Sequence, residues 1–265
     1  MKFARSTAIA AVVSVMTAGA PLAQTLTDAE IDGIIAELER FAAGATSGRV
    51  AIAGIPSAYL TAPGQMKATL SGSYGPRRGT GPRSTRFDAS TSLAIGFGDP
   101  VDAIGVEVGV VNLSFRRFGH SGYFTVGFNR EFETGAGGKG AVALTFDRIG
   151  GWGDARAGKV GGTLVFSTTG TMDTASGPMP VMTTFGVGSN ITRKREAGVI
   201  LGVGMGLSPD WSVSGGIYGD SGVIGTTWHP VDHNGLSVGV TLRKQSTVKP
   251  VFGVDVGYAF NVFGG

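Results

Sequence analysis

The last dozen residues of the chain alternate strictly between large apolar side chains and small or polar ones. The large set consists of Phe252, Val254, Val256, Tyr258, Phe260 and Val262. The positions between them carry Gly253, Asp255, Gly257, Ala259 and Asn261. A period of two predicts a β-strand with opposite faces of opposite character. The aromatic and β-branched residues on the apolar face also favour an extended backbone.

This strand resembles the closing strand of Gram-negative bacterial outer-membrane β-barrels. In that family the assembly machinery recognises a glycine, an aromatic-rich tail and alternating apolar positions. Gly257, Phe260 and Val262 fit that spacing and are candidates for the assembly signal. The chain departs from the family by continuing to Gly265, where the family usually ends on the aromatic residue. The resemblance implies an outer-membrane address and folding by the barrel-assembly machinery, but no substrate.

The residues from Met66 onward predict twelve strands. They centre on 68–74, 87–97, 104–115, 123–132, 141–146, 160–166, 181–187, 199–207, 211–217, 223–228, 236–242 and 251–262. Several reach about ten residues, the length of a tilted membrane-spanning strand, and an even number places both ends of a barrel on one side. We therefore expect an all-β chain whose residues 66–265 form a closed antiparallel transmembrane β-barrel of about 12 strands.

The beginning of the chain has the pattern of an export signal. Lys2 and Arg5 precede an apolar stretch at 8–15, and small residues follow as far as Ala23. This order predicts a signal peptide at 1–23 that is cleaved on export. No later run of about 18 apolar residues occurs, so a mature chain embedded in a membrane has to be a closed barrel.

Residues 24–65 differ in pattern from everything after them. Thr27 and Glu30 form a capping box, and apolar residues recur at helical spacing, which predicts a short amphipathic helix at 27–43. The rest of the segment predicts a linker with one short strand at Val50–Ala53. Three roles stay open for this segment: a helix docked on a neighbouring surface, a plug in the barrel lumen, or a periplasmic helix that pairs with a partner.

Composition limits the classes of function. Removing Lys2 and Arg5 lowers the formal net charge from +3 to +1, so nucleic acid is not an expected partner. The chain has no cysteine, which excludes disulfides and thiol chemistry. Glycine occupies 46 of 265 positions, often in phase with valine, where it suits the crowded inner face of a narrow sheet.

The inner face predicted by the alternation is polar and mixed in charge. Its lumen-lining candidates are Asp88, Glu107, Asn129, Glu131, Asp147, Arg243 and Asp255. Such side chains either line a pore or close it by ion pairing, and the number of inward glycines favours a largely filled lumen. Aromatic residues near strand ends are candidates for membrane-interface girdles, namely Tyr123, Phe132, Trp211, Trp228 and Tyr258.

Basic residues gather in the connections of one predicted rim, whereas the opposite connections are short and mostly acidic. Phosphorylated lipopolysaccharide covers the outer leaflet of such membranes, and arginine binds phosphate well. The lipopolysaccharide-facing candidates are Arg77, Arg78, Arg116, Arg117, Arg193, Lys194 and Arg195.

No motif in the chain indicates catalysis. The three histidines, His120, His229 and His233, fall in predicted connections, and no G-x-S-x-G elbow occurs. The glycine-rich stretch 135–140 lacks P-loop spacing. We expect no enzyme activity, no catalytic residues, no metal and no cofactor.

Two functions from different classes follow from these observations. The first is an integral outer-membrane β-barrel that acts as a porin-like small-solute channel or as a structural barrel, with membrane lipid and lipopolysaccharide as partners. The second is a secreted or surface-displayed all-β adhesin that self-assembles and buries its apolar strand faces against a second sheet. A homo-oligomer is compatible with both.

Overall fold

The computed structural model describes residues 50–76, 85–113, 118–134, 138–175, 177–192, 194–230, 235–245 and 250–262. The predicted signal peptide and the predicted helix at 27–43 lie outside these residues. Within the described ranges no helix is long and apolar enough to cross a membrane.

All twelve predicted segments form β-strands. Their bounds are β1 (Gln65–Pro76), β2 (Thr85–Gly98), β3 (Gly105–Asn112), β4 (Gly122–Thr134), β5 (Gly138–Trp152), β6 (Gly161–Thr174), β7 (Gly177–Gly188), β8 (Gly198–Gly206), β9 (Trp211–Tyr218), β10 (Ser221–Trp228), β11 (Leu236–Gln245) and β12 (Val251–Asn261). A short 3-10 helix, Gly153–Ala157, lies between β5 and β6.

The strands form one closed antiparallel barrel in which every strand pairs with its neighbours in sequence. The ring closes where β1 pairs with β12, from Gln65 opposite Asn261 to Tyr74 opposite Phe252. The alternating segment at the end of the chain is therefore the closing strand. The predicted closed barrel of 12 strands is confirmed.

We name the two ends of the barrel by their strands. The terminal rim is the end at which β1 begins and β12 ends, and it carries the β2–β3 turn around Asp99. The distal rim carries the β1–β2, β3–β4 and β5–β6 connections. Both ends of the barrel sequence meet at the terminal rim, where Val262 N donates to Gly64 O at 2.9 Å.

The outer face of the barrel is a continuous apolar surface. Alternate residues along each strand point outward, and large apolar side chains are exposed there, for example Leu70, Leu93, Leu144 and Val256 at 39–42%. The described strands form a single ring and not two stacked sheets, so these side chains are not buried against a second layer. An apolar surface of this extent marks a contact with lipid or with protein.

Aromatic residues lie near both ends of this apolar surface. Towards the distal rim, Tyr74 is paired with Phe87 on one side and with Phe252 on the other. Towards the terminal rim, Trp211 and Trp228 have ring centroids 6.3 Å apart. Tyr258 also lies towards the terminal rim, with its ring centroid 5.9 Å from that of Phe260. Phe132, at the same end of β4, packs against Phe166.

Three finer expectations were wrong. Tyr123 shares the inner face with its strand partner Val111, so it belongs to no outer girdle. The residues between the predicted strands at 160–166 and 181–187 do not form a long connection, because β6 and β7 pair as far as Thr174 opposite Gly177. The end of β6 is mostly threonine and the start of β7 carries two prolines, so hydrophobic alternation did not mark these strand ends. Val50–Ala53 forms no strand.

Candidate functional site in the barrel lumen

Residues 50–62, which we call the luminal segment, lie inside the barrel. Ile52, Ile55 and Ala58 are buried there, and they form one apolar cluster with inward side chains of five strands. The strand residues of this cluster are Ala141, Ala143, Val165, Met182, Ile200 and Val223. Burial of this kind removes apolar area from water and stabilises the segment in place.

Hydrogen bonds attach the luminal segment to several strands around the ring. Ala53 N donates to Ser214 Oγ on β9 at 2.9 Å, and Ala58 N donates to Ser167 Oγ on β6 at 2.8 Å. Asn129 Nδ2 on β4 donates to Ala58 O at 3.4 Å. Because these strands lie on different sides of the ring, the segment crosses the lumen. The wall hydroxyls satisfy backbone groups that would otherwise be buried without a partner.

Glycines on the inner face make room for this segment. A Cβ on Gly96 would overlap the carbonyl oxygens of Thr61 and Ala62, and one on Gly204 would lie 2.5 Å from Ala51 O. Further inward glycines face the segment in the same way, namely Gly127, Gly202, Gly216 and Gly225. These six glycines therefore make room for the luminal segment, and at Gly96 and Gly204 they allow two backbones to approach closely.

The luminal segment is a hairpin whose apex points towards the distal rim. The apex contains Gly54, which has a φ of +71° that other residues rarely adopt. Both arms of the hairpin, at Val50 and at Thr61, line a cavity that opens at the terminal rim. The chain enters β1 through Gly64, whose N–H donates to Gly96 O at 2.9 Å.

The hairpin divides the lumen into two cavities. The distal cavity has a volume of about 420 Å³ and is lined by Gly54 and by inward residues of β1, β2, β11 and β12. The terminal cavity has a volume of about 720 Å³ and is bordered by Lys67, Glu107 and His229. The luminal segment borders both cavities, through Gly54 on the distal side and through both arms on the terminal side.

Two charged side chains hold the two ends of the hairpin. Arg243 Nη2 donates to Gly54 O at 3.1 Å, and its guanidinium carbon lies 5.1 Å from the ring centroid of Tyr218. At the other end, Glu107 Oε2 accepts hydrogen bonds from Thr61 N at 2.8 Å and from Thr61 Oγ1 at 2.6 Å. Hydrogen bonds to ionised groups are shorter and stronger than neutral ones.

The lumen-lining candidates fall into three groups in the structure. Glu107, Asn129 and Arg243 contact the luminal segment directly. Asp88 and Asp255 line the distal cavity together with Arg243. The third group consists of Asp147 and Glu131. Asp147 Oδ2 lies 3.7 Å from Arg148 Nε, and Glu131 is half-buried on the inner face of β4.

Several residues that hold the luminal segment were not among the sequence candidates. Ser167, Thr184 and Ser214 resemble any other small polar inner-face residue, so no pattern distinguished them. The available signal was a break in alternation at Val199-Ile200-Leu201, where three apolar residues follow one another. A strand that is apolar on both faces requires a packing partner on each, and the inner partner of Ile200 is the luminal segment.

The rim and tail candidates are partly described. Lys194 and Arg195 are exposed in the β7–β8 connection at the distal rim. The other lipopolysaccharide-facing candidates, Arg77, Arg78, Arg116, Arg117 and Arg193, lie outside the described residues. In the tail, Gly257 is buried on the inner face, whereas Phe260 and Val262 point outward and are exposed.

The histidines do not form a catalytic arrangement within the described ranges. His120 is exposed, and the hydroxyl of neighbouring Ser121 is engaged with backbone, since it accepts from Ala155 N at 3.1 Å. His229 borders the terminal cavity, and His233 lies outside the described residues. The described part of the chain contains no group of three or more histidine, cysteine, aspartate or glutamate side chains that could hold a metal ion.

An ordered carboxylate closes the β2–β3 turn at the terminal rim. Asp99 Oδ1 accepts hydrogen bonds from Asp102 N at 3.0 Å and from Val101 N at 2.9 Å. These bonds favour the ionised form, so the pKa of Asp99 is lowered from its ordinary value.

Comparison with known proteins adds little to this description. No family model matches the chain, and no curated protein matches it. Among solved structures, the chain is similar to Ail, the attachment invasion locus protein of Yersinia pestis, solved in complex with the heparin analogue sucrose octasulfate. The match has 11% identity and a TM-score of 0.21, and it covers 75% of this chain and 99% of that one. A likeness this distant does not bear on the function of this chain.

Proposed function

We propose that this protein is an integral outer-membrane β-barrel with a small-solute pathway that the luminal segment closes at rest. The observation that carries the proposal is the hairpin of residues 50–62, which crosses the lumen between two cavities. In this proposal, a solute passes from one cavity to the other only when the hairpin moves.

The outer face supports the membrane assignment. A closed barrel leaves no unpaired strand edge in lipid, and its exposed apolar side chains match the hydrocarbon core of a bilayer. Aromatic pairs such as Trp211 and Trp228 near a strand end are typical of the membrane interface. The exposed Lys194 and Arg195 would then face lipopolysaccharide, and the distal rim would be the cell surface.

A gated pathway explains the interior better than a purely structural barrel does. A structural barrel gains most from a lumen filled by its own side chains. Here glycines on the wall leave room for the luminal segment, and cavities lie on both sides of it. The hairpin is held mainly by hydrogen bonds and by one small apolar cluster. These contacts can break while the strand pairing of the ring stays intact.

A disulfide between the hairpin and the wall tests this proposal. The chain contains no cysteine, so an introduced pair has no competing thiol. Ala53→Cys with Ser214→Cys is suitable, because the side chain of Ser214 already points at Ala53, with its Oγ 2.9 Å from Ala53 N. A disulfide needs about 3.8 Å between the two Cβ atoms, and a small shift of the hairpin apex can provide that distance. We expect brief openings of the reduced protein in planar bilayers and none of the oxidised protein.

A disulfide within the wall provides the matched control. Thr168→Cys with Thr183→Cys joins two outward residues whose hydroxyls are 2.8 Å apart, and it leaves the hairpin free. We expect its openings to be the same in both redox states. Steady conductance through the oxidised hairpin variant would contradict closure by residues 50–62. Silence of every form would indicate a structural or adhesive barrel, and recovery of the chain in the soluble periplasm would contradict membrane insertion.

A further inference from the structure

The distal cavity is lined by side chains of opposite charge on different strands. Arg243 stands on β11, and Asp88 stands on β2, three strands away along the ring. Asp255 also lines the cavity from β12, four residues along that strand from Val251, the strand partner of Arg243. At about 4.8 Å per strand, the backbones that carry Arg243 and Asp88 are about 14 Å apart along the sheet. The long arginine and the short aspartate both extend into this space, so a compact molecule can contact both.

The floor between these charges is small and hydroxylated. On β1, Ser71 is the strand partner of Asp255, and Ser73 is the partner of Gly253 on one side and of Asp88 on the other. Apart from Leu113 and Val251, the strand partner of Arg243, the residues that line this cavity are small, polar or charged. The cavity of about 420 Å³ falls within the size range of small-molecule sites.

Arg243 also holds the hairpin that closes the lumen. One of its five N–H groups donates to the neutral carbonyl of Gly54 at 3.1 Å, and its guanidinium lies over Tyr218. A carboxylate is a stronger and bidentate acceptor for a guanidinium than a carbonyl is. A carboxylate that enters the cavity therefore competes with Gly54 for Arg243.

From this arrangement we infer that the distal cavity binds a small zwitterion, with its carboxylate on Arg243 and its ammonium group on Asp88 or Asp255. A molecule with only a negative charge would also face the two carboxylates, and one with only a positive charge would face Arg243. Each could therefore form only one of the two ion pairs. Binding draws Arg243 away from Gly54 and weakens the attachment of the hairpin apex. The site thus names the class of solute for the proposed pathway, and the link to gating rests on that proposed function.

Three compounds with the same four-carbon chain separate the contributions of the two charges. We propose to titrate the full chain in detergent with 4-aminobutanoate, butanoate and butylamine by isothermal titration calorimetry. We expect 4-aminobutanoate to bind at least tenfold more tightly than either compound with one charge. Equal binding of butanoate or of butylamine would overturn the inference, as would no binding of 4-aminobutanoate.

Variants locate the binding to this cavity. Arg243→Gln and Asp88→Asn should each weaken binding of 4-aminobutanoate at least tenfold. Lys244→Gln and Asp154→Asn should leave it unchanged, because Lys244 is adjacent to Arg243 on the outer face and Asp154 lies on the exposed 3-10 helix. Heat-modifiable migration in gels verifies that each variant is folded. Loss of binding in both controls, or in none of the four variants, would place the site elsewhere.

The two proposals fail separately in these experiments. Calorimetry in detergent needs neither a bilayer nor an open pathway, so binding that depends on Arg243 can persist in a barrel that never conducts. That result would contradict the pathway and retain the site. Openings that respond to the hairpin disulfide, without any binding of 4-aminobutanoate, would retain the pathway and contradict the site.

Discussion

The carboxylate of Glu107 accepts both the backbone N–H and the hydroxyl of Thr61, at 2.8 Å and 2.6 Å. Glu107 stands on β3, and Thr61 is at the end of the luminal segment that leads into β1. One side chain thus attaches the base of the hairpin, while Arg243 attaches its apex from the other half of the ring. An acidic and a basic side chain of the wall thus hold the two ends of the hairpin.

Replacing Glu107 should loosen the hairpin and leave the barrel closed. Loss of hydrogen bonds to an ionised group costs about 1.5–3 kcal/mol, so Glu107→Ala should raise the exposed population of the hairpin roughly ten- to hundredfold. Maleimide labelling at Ala58→Cys measures this population, because Ala58 is fully buried. Glu133→Ala, on an exposed part of β4, is the control and should not change the labelling rate.

The close approach of two backbones at Gly96 gives a second prediction. A methyl group there would overlap the carbonyls of Thr61 and Ala62, so Gly96→Ala should displace the hairpin base and lower the free energy of unfolding by about 1–3 kcal/mol. Gly170→Ala, in β6 with nothing within 4 Å of the added carbon, should change it by less than about 0.5 kcal/mol. Urea titrations in lipid vesicles would compare the two, and equal effects would contradict a specific contact at Gly96.

The strands and the ring could be predicted because each strand repeats one local rule. Outward residues such as Leu70 and Val256 meet an apolar environment and inward ones do not, so a period of two marks every strand independently. The strand ends at 168–174 lacked that contrast, because threonine is compatible with both faces. Hydrophobic alternation therefore defines a strand only where its two sides have different surroundings.

The luminal segment could not be predicted with the same rule. Its apolar residues, Ile52 and Ile55, have irregular spacing because they fit the inner wall rather than a repeating element. The partners of its backbone, such as Ser167 and Ser214, are more than 100 residues away in sequence. A plug was one of three open roles for residues 24–65. The wall groups that contact residues 50–62 come together only when the ring has closed, so the sequence alone did not connect them with the segment.

The membrane assignment predicts a large difference between two arginine substitutions. Leu70 and Val256 are strand partners on the outer face of the β1–β12 closure. Leu70→Arg should cost about 2–4 kcal/mol of folding free energy in lipid vesicles, the usual cost of arginine near the bilayer midplane. Val101→Arg, at an exposed apolar residue of the β2–β3 turn, should have almost no effect. Similar costs at both sites would indicate that the outer apolar surface does not face lipid.

The Asp99 turn predicts a pH dependence of stability with a defined sign. Its pKa is lowered in the folded protein by hydrogen bonds from Asp102 N and Val101 N. The ionised carboxylate therefore stabilises the folded turn more than the protonated carboxyl does. The contribution is therefore complete above the pKa of the unfolded chain and is lost as the pH falls through the lower pKa of the folded state. Asp99→Ala should be less stable than the parent at pH 7, and this difference should shrink towards zero at strongly acidic pH.

Urea titrations of the parent and of Asp99→Ala between pH 7 and strongly acidic pH would measure that difference. Asp102→Ala is the matched control, because Asp102 supplies its backbone N–H to Asp99 and alanine retains that donor. We expect the control to lose little stability at neutral pH. A difference between the parent and Asp99→Ala that stays constant with pH would show that the turn is held by its backbone alone. The carboxylate would then have no part in joining β2 to β3 at the terminal rim.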